Sequence, residues 1–259
     1  MREILSDVSE MLSDTDPVRR AQIKAKRPLP KRFYKSAGVA PLEDGFAVQL
    51  DGKTIRTPAK MLLKLPTEQL ALLVSDEWNA QKENINPVEM PITRLVNTAI
   101  DGIALDPQAV IEDILRFAGT DLLCYRADSP KELVERQNEA WDPLIDWAHA
   151  SLSARFNLAE GVIHVEQPKE TIHAIGIHIT AFNSPIALAS LHTFTTLTGS
   201  ALLSIAIAKE ELTAQEAWQA AHVDEDWNIE QWGEDAEIKA RRAFRWGEML
   251  AADRALKAL

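Results

Sequence analysis

GFAVQLDGKTIRTPAKMLLKLPTEQLALLVSDEWNAQ, residues 45–81, changes character midway, and that change decides the fold class. GFAVQL, KTIRT and MLLKL are short runs rich in apolar and β-branched residues, the composition of strands. Asp51-Gly52 sits between the first two as a hairpin signal, since both residues tolerate the backbone of a tight turn. After Pro66 the period becomes helical: Leu70, Leu73, Val74 and Trp78 recur at helix spacing, with Thr67 placed as N-cap. Upstream, FYKSAGV adds one more strand-like run. Short antiparallel strands followed by an amphipathic helix predict a small α+β domain over residues 31–105, behind a polar helical leader at 1–30.

Downstream the periods are helical almost throughout. Pro107 starts one helix and Gly119 closes it; SPKELVERQNEAWDPLIDWAHASLSARFN is a longer helix with Pro143 as an expected break. The pattern changes at Ala104-Leu105-Asp106-Pro107, so the expected fold class is α+β overall, with an all-α domain over 106–259. GVIHVEQP is one short extended piece within it. Thirty-eight residues, Thr171 to Ala208, contain no Asp, Glu, Lys or Arg. Ile186–Ala208 is long enough to span a bilayer, but His192, four threonines, Gly199 and Ser200 suit helices buried in protein better. No stable membrane insertion is expected.

The net charge of −11 lacks the basic footprint of a nucleic-acid binder, so proteins or small molecules are the expected partners. One cysteine, Cys124, in DLLCYRAD excludes an intramolecular disulfide and reads as a core residue of a reducing compartment. The leader is acidic and lacks a continuous apolar centre, which matches neither a transit peptide nor an export signal. There is no Gly-rich phosphate loop and no nucleophile motif. No catalytic residue and no cofactor are assigned.

Chemistry concentrates near the C-terminal end. Between Glu210 and Ile238 stand ten carboxylates and three tryptophans without a Lys or Arg. Thr213 and Glu216 have the spacing of a capping box, and one helix is expected from there to Gly233. On that helix, with Trp218 at zero, Glu225 lies at about −20°, Ile229 at about +20° and Trp232 at about −40°, which centres a carboxylate on an apolar stripe. Either the stripe is covered and Glu225 pairs with an arginine of the last helix, or it stays uncovered as acids around indoles, the make-up of a protein-binding patch. His222, Asp224 and Asp226 could be imagined as a metal site of a hydrolase, but no second ligand cluster supports it, and no metal is assigned. In NPVEMPITRLVNTAID, Thr93 and Arg94 fall in a first helical turn, where an arginine needs a carboxylate partner. They are candidates for a local ion pair or for joining the two domains.

The order KRFYKSAGV, DGKTIRTPAKMLLKLP, EWNAQKENINPVEMPITRLVNTAID, DLLCYRAD and LTAQEAWQAAHVDEDWNIEQWGED resembles the assembly chaperones that receive the alpha subunit of the F-type ATP synthase. The match covers nearly everything after residue 30, with PITR at 91–94 and Gln231-Trp232-Gly233 its most specific pieces; the leader and the last helix depart from it. The resemblance implies an α+β domain followed by a helical one, no enzymatic activity, no nucleotide, and the ATP synthase alpha subunit as partner. It implies a bacterial cytoplasmic member of a family whose eukaryotic members are mitochondrial. It also implies that the functional residues are carboxylates of the acidic helix: Glu225 first, then Glu216, Asp224 and Glu230, with Trp232 and Glu234 beside them.

Overall fold

The computed structural model describes residues 29–161 and 163–259; the expected leader at 1–30 lies almost wholly outside them. Strand β1 (Ala37–Leu42) and strand β2 (Gly45–Leu50) form an antiparallel hairpin closed by Glu43 and Asp44. Gly45 has φ +130°, and a Cβ there would sit 2.4 Å from the Leu65 carbonyl oxygen, so only glycine fits. β3 (Lys53–Thr54) and β4 (Lys64–Leu65) pair antiparallel with opposite ends of β2. The Asp51-Gly52 turn joins β2 to β3 with φ +48° and +80°, as the dipeptide predicts. Between β3 and β4 the chain makes an excursion clamped by an Arg56–Leu62 bridge. Helix α1 (Glu68–Ala80) packs Leu70, Ala71 and Val74 against this sheet, whose Val48, Leu63 and Leu65 are buried.

Residues 29–33 and 81–86 form a small unit of their own. Lys31 bridges Asn84, Arg32 N donates to the Glu83 carbonyl at 2.8 Å, and Ile85 N donates to the Pro30 carbonyl at 2.8 Å.

The remainder is helical: α2 (Pro91–Thr98), continued by a wider π-type turn at Ala99–Ile103, α3 (Pro107–Gly119), α4 (Lys131–Leu152), α5 (Lys169–Thr180), α6 (Pro185–Thr198), α7 (Ala201–Ala208), α8 (Ala214–Ala221), α9 (Val223–Trp232) and α10 (Ala236–Lys257). Two-residue strands β5 (Tyr125–Arg126) and β6 (Ala159–Glu160) pair in parallel. The α+β class, with its small antiparallel sheet early in the chain, is the one the sequence predicts.

α6 and α7 explain the uncharged run. α6 is packed by α2, α3, α7, α8 and α10, and nine of its residues are buried. Four threonine hydroxyls, of Thr193, Thr195, Thr196 and Thr198, donate to the carbonyls four residues back at 2.7–2.9 Å, which satisfies them without outside partners. Gly199, at φ +71°, ends α6, and Ser200 caps α7 through the Leu203 amide at 3.0 Å. No helix among the described residues is long and apolar enough to cross a membrane.

Two local expectations are corrected. Pro143 does not break its helix: α4 runs through it for 22 residues. Trp141, Leu144, Ala148 and Leu152 on either side are buried, and their packing outweighs the roughly 3 kcal/mol cost of an interior proline. The acidic helix is not continuous either; it divides at His222 into α8 and α9. The His222 imidazole Nδ1 lies 2.7 Å from the Trp218 carbonyl, an acceptor only, so Nδ1 carries the proton and occupies the carbonyl that continued helix would use.

One buried cluster includes Val48, Leu65 and Leu70 from the first part of the chain and Phe194, Leu203 and Met249 from the last, so the change in element class near residue 105 occurs within a shared core.

Candidate functional site

The break at His222 resets the phase of the acidic segment. Trp218, in the second turn of α8, is 5 % exposed, with its ring 4.0 Å from the His222 ring and 5.3 Å from the Trp246 ring of α10. Trp232, at the end of α9, is 86 % exposed. The two indoles do not share a covered face, as a single continuous helix would have required.

Most of the acids have structural partners. Glu216 closes the capping box: its carboxylate accepts from the Thr213 amide at 2.8 Å and hydroxyl at 2.7 Å, which holds its pKa below the usual range. Asp224 accepts from Gln137 of α4 at 2.7 Å. Glu230 takes both terminal nitrogens of Arg136 on α4, at 2.9 and 2.7 Å, and that hydrogen bond is the main reason its pKa is lowered. The same guanidinium lies 4.9 Å from the centre of the Trp227 ring. Asp226 pairs with Arg242 of α10 at 2.5 Å, and Glu234 with Lys239 at 3.2 Å.

Glu225 is different. Its closest cationic candidate is His222 Nε2 at 3.6 Å, beyond hydrogen-bond distance, with the carboxylate side chain 32 % exposed. Burial, the largest cause, lowers the His222 pKa. At neutral pH this ring is therefore uncharged and, with Nδ1 protonated, turns a lone pair toward Glu225. The pair is not an ion pair there. The expected arginine of the last helix, Arg242, pairs directly with Asp226 instead, one residue on, and acts on Glu225 only at longer range. Because Asp224, Trp227 and Glu230 face α4 and Asp226 faces α10, the stripe left over on α9 carries Glu225, Ile229 and Trp232.

A metal reading finds no support in this geometry. His222 is engaged with Trp218, Asp224 with Gln137 and Asp226 with Arg242, and among the described residues no group of three His, Cys, Asp or Glu side chains could hold a metal ion. Cys124 is fully buried, and burial raises its pKa, which leaves the thiol unreactive.

Thr93 and Arg94 make separate contacts. The Glu77 carboxylate of α1 accepts from the Ile92 and Thr93 amides, each at 2.7 Å, and from the Thr93 hydroxyl at 2.6 Å, capping α2 from a neighbouring helix. Arg94 reaches Glu248 of α10 at 2.5 Å. Glu77 and Glu248 together supply the negative charge that an arginine in a first turn requires.

Set beside known proteins, the chain matches the ATP12 chaperone protein family over residues 31–149. Atp12 of Paracoccus denitrificans superposes with a TM-score of 0.83 at 40 % identity, over 88 % of this chain and 98 % of that one. The chain belongs to the ATP12 chaperone family. A second solved structure, the Atu1473 protein of Agrobacterium tumefaciens, superposes with a TM-score of 0.86 at 57 % identity, covering 100 % of this chain and 97 % of that one. The fission yeast protein atp12, designated mitochondrial, is 28 % identical over 231 residues, 82 % of this chain and 79 % of its own length. Gln137, Arg136 and Arg242 seat the acidic helix. They lie on remote helices, so no spacing in the sequence points to them.

Proposed function

We propose that this ATP12-family chaperone binds the unassembled alpha subunit of the F-type ATP synthase in the bacterial cytoplasm and delivers it to assembly of the catalytic sector. It does so as a binding protein, without catalysis, cofactor or metal. The observation that carries this reading is the α9 stripe, where Glu225 has no direct ion pair at neutral pH among the described residues and Trp232 is 86 % exposed, while Asp224, Asp226, Glu230 and Glu234 are taken up within the fold. An exposed indole gives apolar contact, and an uncommitted carboxylate gives a charge that speeds encounter and penalises wrong partners. Glu225 and Trp232 are therefore the primary contacts. Asp224, Glu230 and Glu234 hold and surround that surface, and Glu216 fixes the start of the preceding helix. Thr93 and Arg94 serve the union of the α+β and helical parts.

Glu225→Gln and Trp232→Ala test the reading in one experiment, with thermal unfolding and suppression of alpha-subunit aggregation measured on the same preparations. Unchanged melting temperatures with weakened suppression are expected. A destabilised Glu225→Gln protein, or full suppression by both variants, would overturn the assignment of the site. Tagged protein isolated from its own cells without any ATP synthase subunit would overturn the choice of client.

A further inference from the structure

Where α2, α6 and α10 meet, they leave a partly enclosed pocket of about 160 Å³. α2 turns one stripe to it, Pro91, Arg94, Leu95 and Thr98, at the i, i+3, i+4, i+7 spacing of a single helical face. Ile103, Ala189 and Ala251 complete its apolar lining. Neither Leu95 nor Ile103 is among the large hydrophobic side chains that the fold leaves exposed, so the pocket is apolar inside without an apolar collar.

Its polar side is charged. Arg94 and Glu248 both line the pocket and pair with each other at 2.5 Å, yet the arginine side chain stays 39 % exposed and the glutamate 22 % exposed. The pair therefore offers a positive and a negative group side by side. Next to them is His192 of α6, whose ring is anchored through Nε2 to the Asp113 carboxylate at 2.7 Å.

Size and charge together select the occupant. At about 30 Å³ per water the pocket holds roughly five waters, well short of the ~300–1,000 Å³ of sites for drug-sized ligands, so it takes a small molecule or one side chain. An anchoring side chain of a partner protein sits inside a water-excluding surround, which this charged rim does not supply. A singly charged ligand meets attraction from one member of the ion pair and repulsion from the other, whereas a zwitterion is attracted by both.

We propose that this pocket binds a free α-amino acid with a small aliphatic side chain. Its carboxylate pairs with Arg94, its ammonium with Glu248, and its side chain lies on Leu95, Ile103 and Ala189. A ligand held by three helices at once stabilises the folded chain by mass action. The site is separate from the Glu225–Trp232 stripe and does not depend on which protein that stripe receives.

The test uses the full chain with L-valine as probe, read by titration calorimetry and by the melting temperature at concentrations up to about 10 mM. L-Valine is expected to bind and to raise the melting temperature with concentration. N-acetyl-L-valine, which lacks the ammonium, L-valinamide, which lacks the carboxylate, and L-tryptophan, which exceeds the pocket, are expected to do neither. Thr98→Trp fills the mouth from an exposed position, and should weaken L-valine binding by roughly tenfold or more without shifting the melting temperature of the unliganded chain. Glu248→Gln keeps an acceptor for Arg94 but removes the charge, and should weaken binding by roughly tenfold with a native circular dichroism spectrum. If that variant fails to fold, Thr98→Trp decides alone. Equal binding of L-valine and its acetylated form, or binding that survives Thr98→Trp, would overturn the proposal. So would no binding of L-valine; if Thr98→Trp then also weakens client capture, the pocket belongs to a partner's side chain.

Discussion

Three ionisable residues decide how this protein responds to its surroundings. At Glu225 a carboxylate faces a neutral imidazole, and the Arg242 guanidinium paired with Asp226 acts on it only at longer range, so its replacement by Gln breaks no direct ion pair; the expected outcome is an intact melting temperature and weaker client capture. His222 and Asp121 couple stability to pH with opposite signs. The folded pKa of His222 lies below its ordinary value of 6.5, so the stability it confers is complete above that value and is lost as pH falls through the folded pKa. His222→Phe keeps an aromatic ring beside Trp218 but cannot titrate. Its thermal stability should fall less steeply on the acid side than that of the parent, as read by unfolding midpoints across pH. Asp121 is fully buried, with its two oxygens accepting from the Leu123 amide at 3.2 Å and the Leu202 amide at 3.0 Å; burial pushes its pKa up to about 6. Its contribution is present in full below the ordinary Asp range of about 4 and is lost as pH rises through about 6. Asp121→Asn should flatten that part of the stability profile. It should also lose about 1–3 kcal/mol, because one of the two buried amides is left without an acceptor.

At the level of elements, the functional helix is short and held from outside. α9 has no fully buried residue; Val223 packs against the core at its start, and Arg136 and Gln137 from α4 and Arg242 from α10 hold its acids. Arg136→Ala removes the bidentate contact to Glu230 and the stacking on Trp227 together. Amide exchange in 223–232 should then quicken while α6 and α7 stay protected, measured by hydrogen–deuterium exchange. The preceding helix is anchored differently. Trp141 Nε1 donates to the Ala220 carbonyl at 2.7 Å in the core, and Trp141→Phe should cost about 1–3 kcal/mol in denaturant unfolding through that unsatisfied carbonyl. Thr213→Ala, which opens the capping box, should cost about 1 kcal/mol without affecting Glu225.

At the scale of the whole molecule, the α+β stretch and the helical stretch meet through Arg94 and Glu248 and through the Thr67 hydroxyl, which donates to the Ala258 carbonyl at 2.5 Å. Buried side chains of both stretches belong to one cluster. Heating should therefore unfold them in one transition, with coincident far-ultraviolet and tryptophan signals; two separated transitions would assign 31–105 and 106–259 to independent folding units.

Local chemistry is legible in the sequence. Asp51-Gly52 specified its turn, Thr213 with Glu216 its capping box, Gly233 its helix end, and the uncharged run from Thr171 its burial, because each depends on residues a few positions apart. The fold class followed from the switch in period after Pro66. What sequence alone misplaced was decided at long range. Pro143 stayed inside a helix because packing around Trp141 and Leu144 outweighs one missing hydrogen bond, and the acidic segment bent because the ring of His222 is buried between Trp218 and its neighbours. The setting of the acids has the same origin: ten stand in a row without a base among them, and only the approach of Arg136, Arg242 and Gln137 from distant helices commits Glu230, Asp226 and Asp224 while leaving Glu225 between them to His222. Sequence spacing fixes the hydrogen bonds a residue makes within its own turn. Which charge is left unpaired depends on side chains that only the tertiary fold brings within reach.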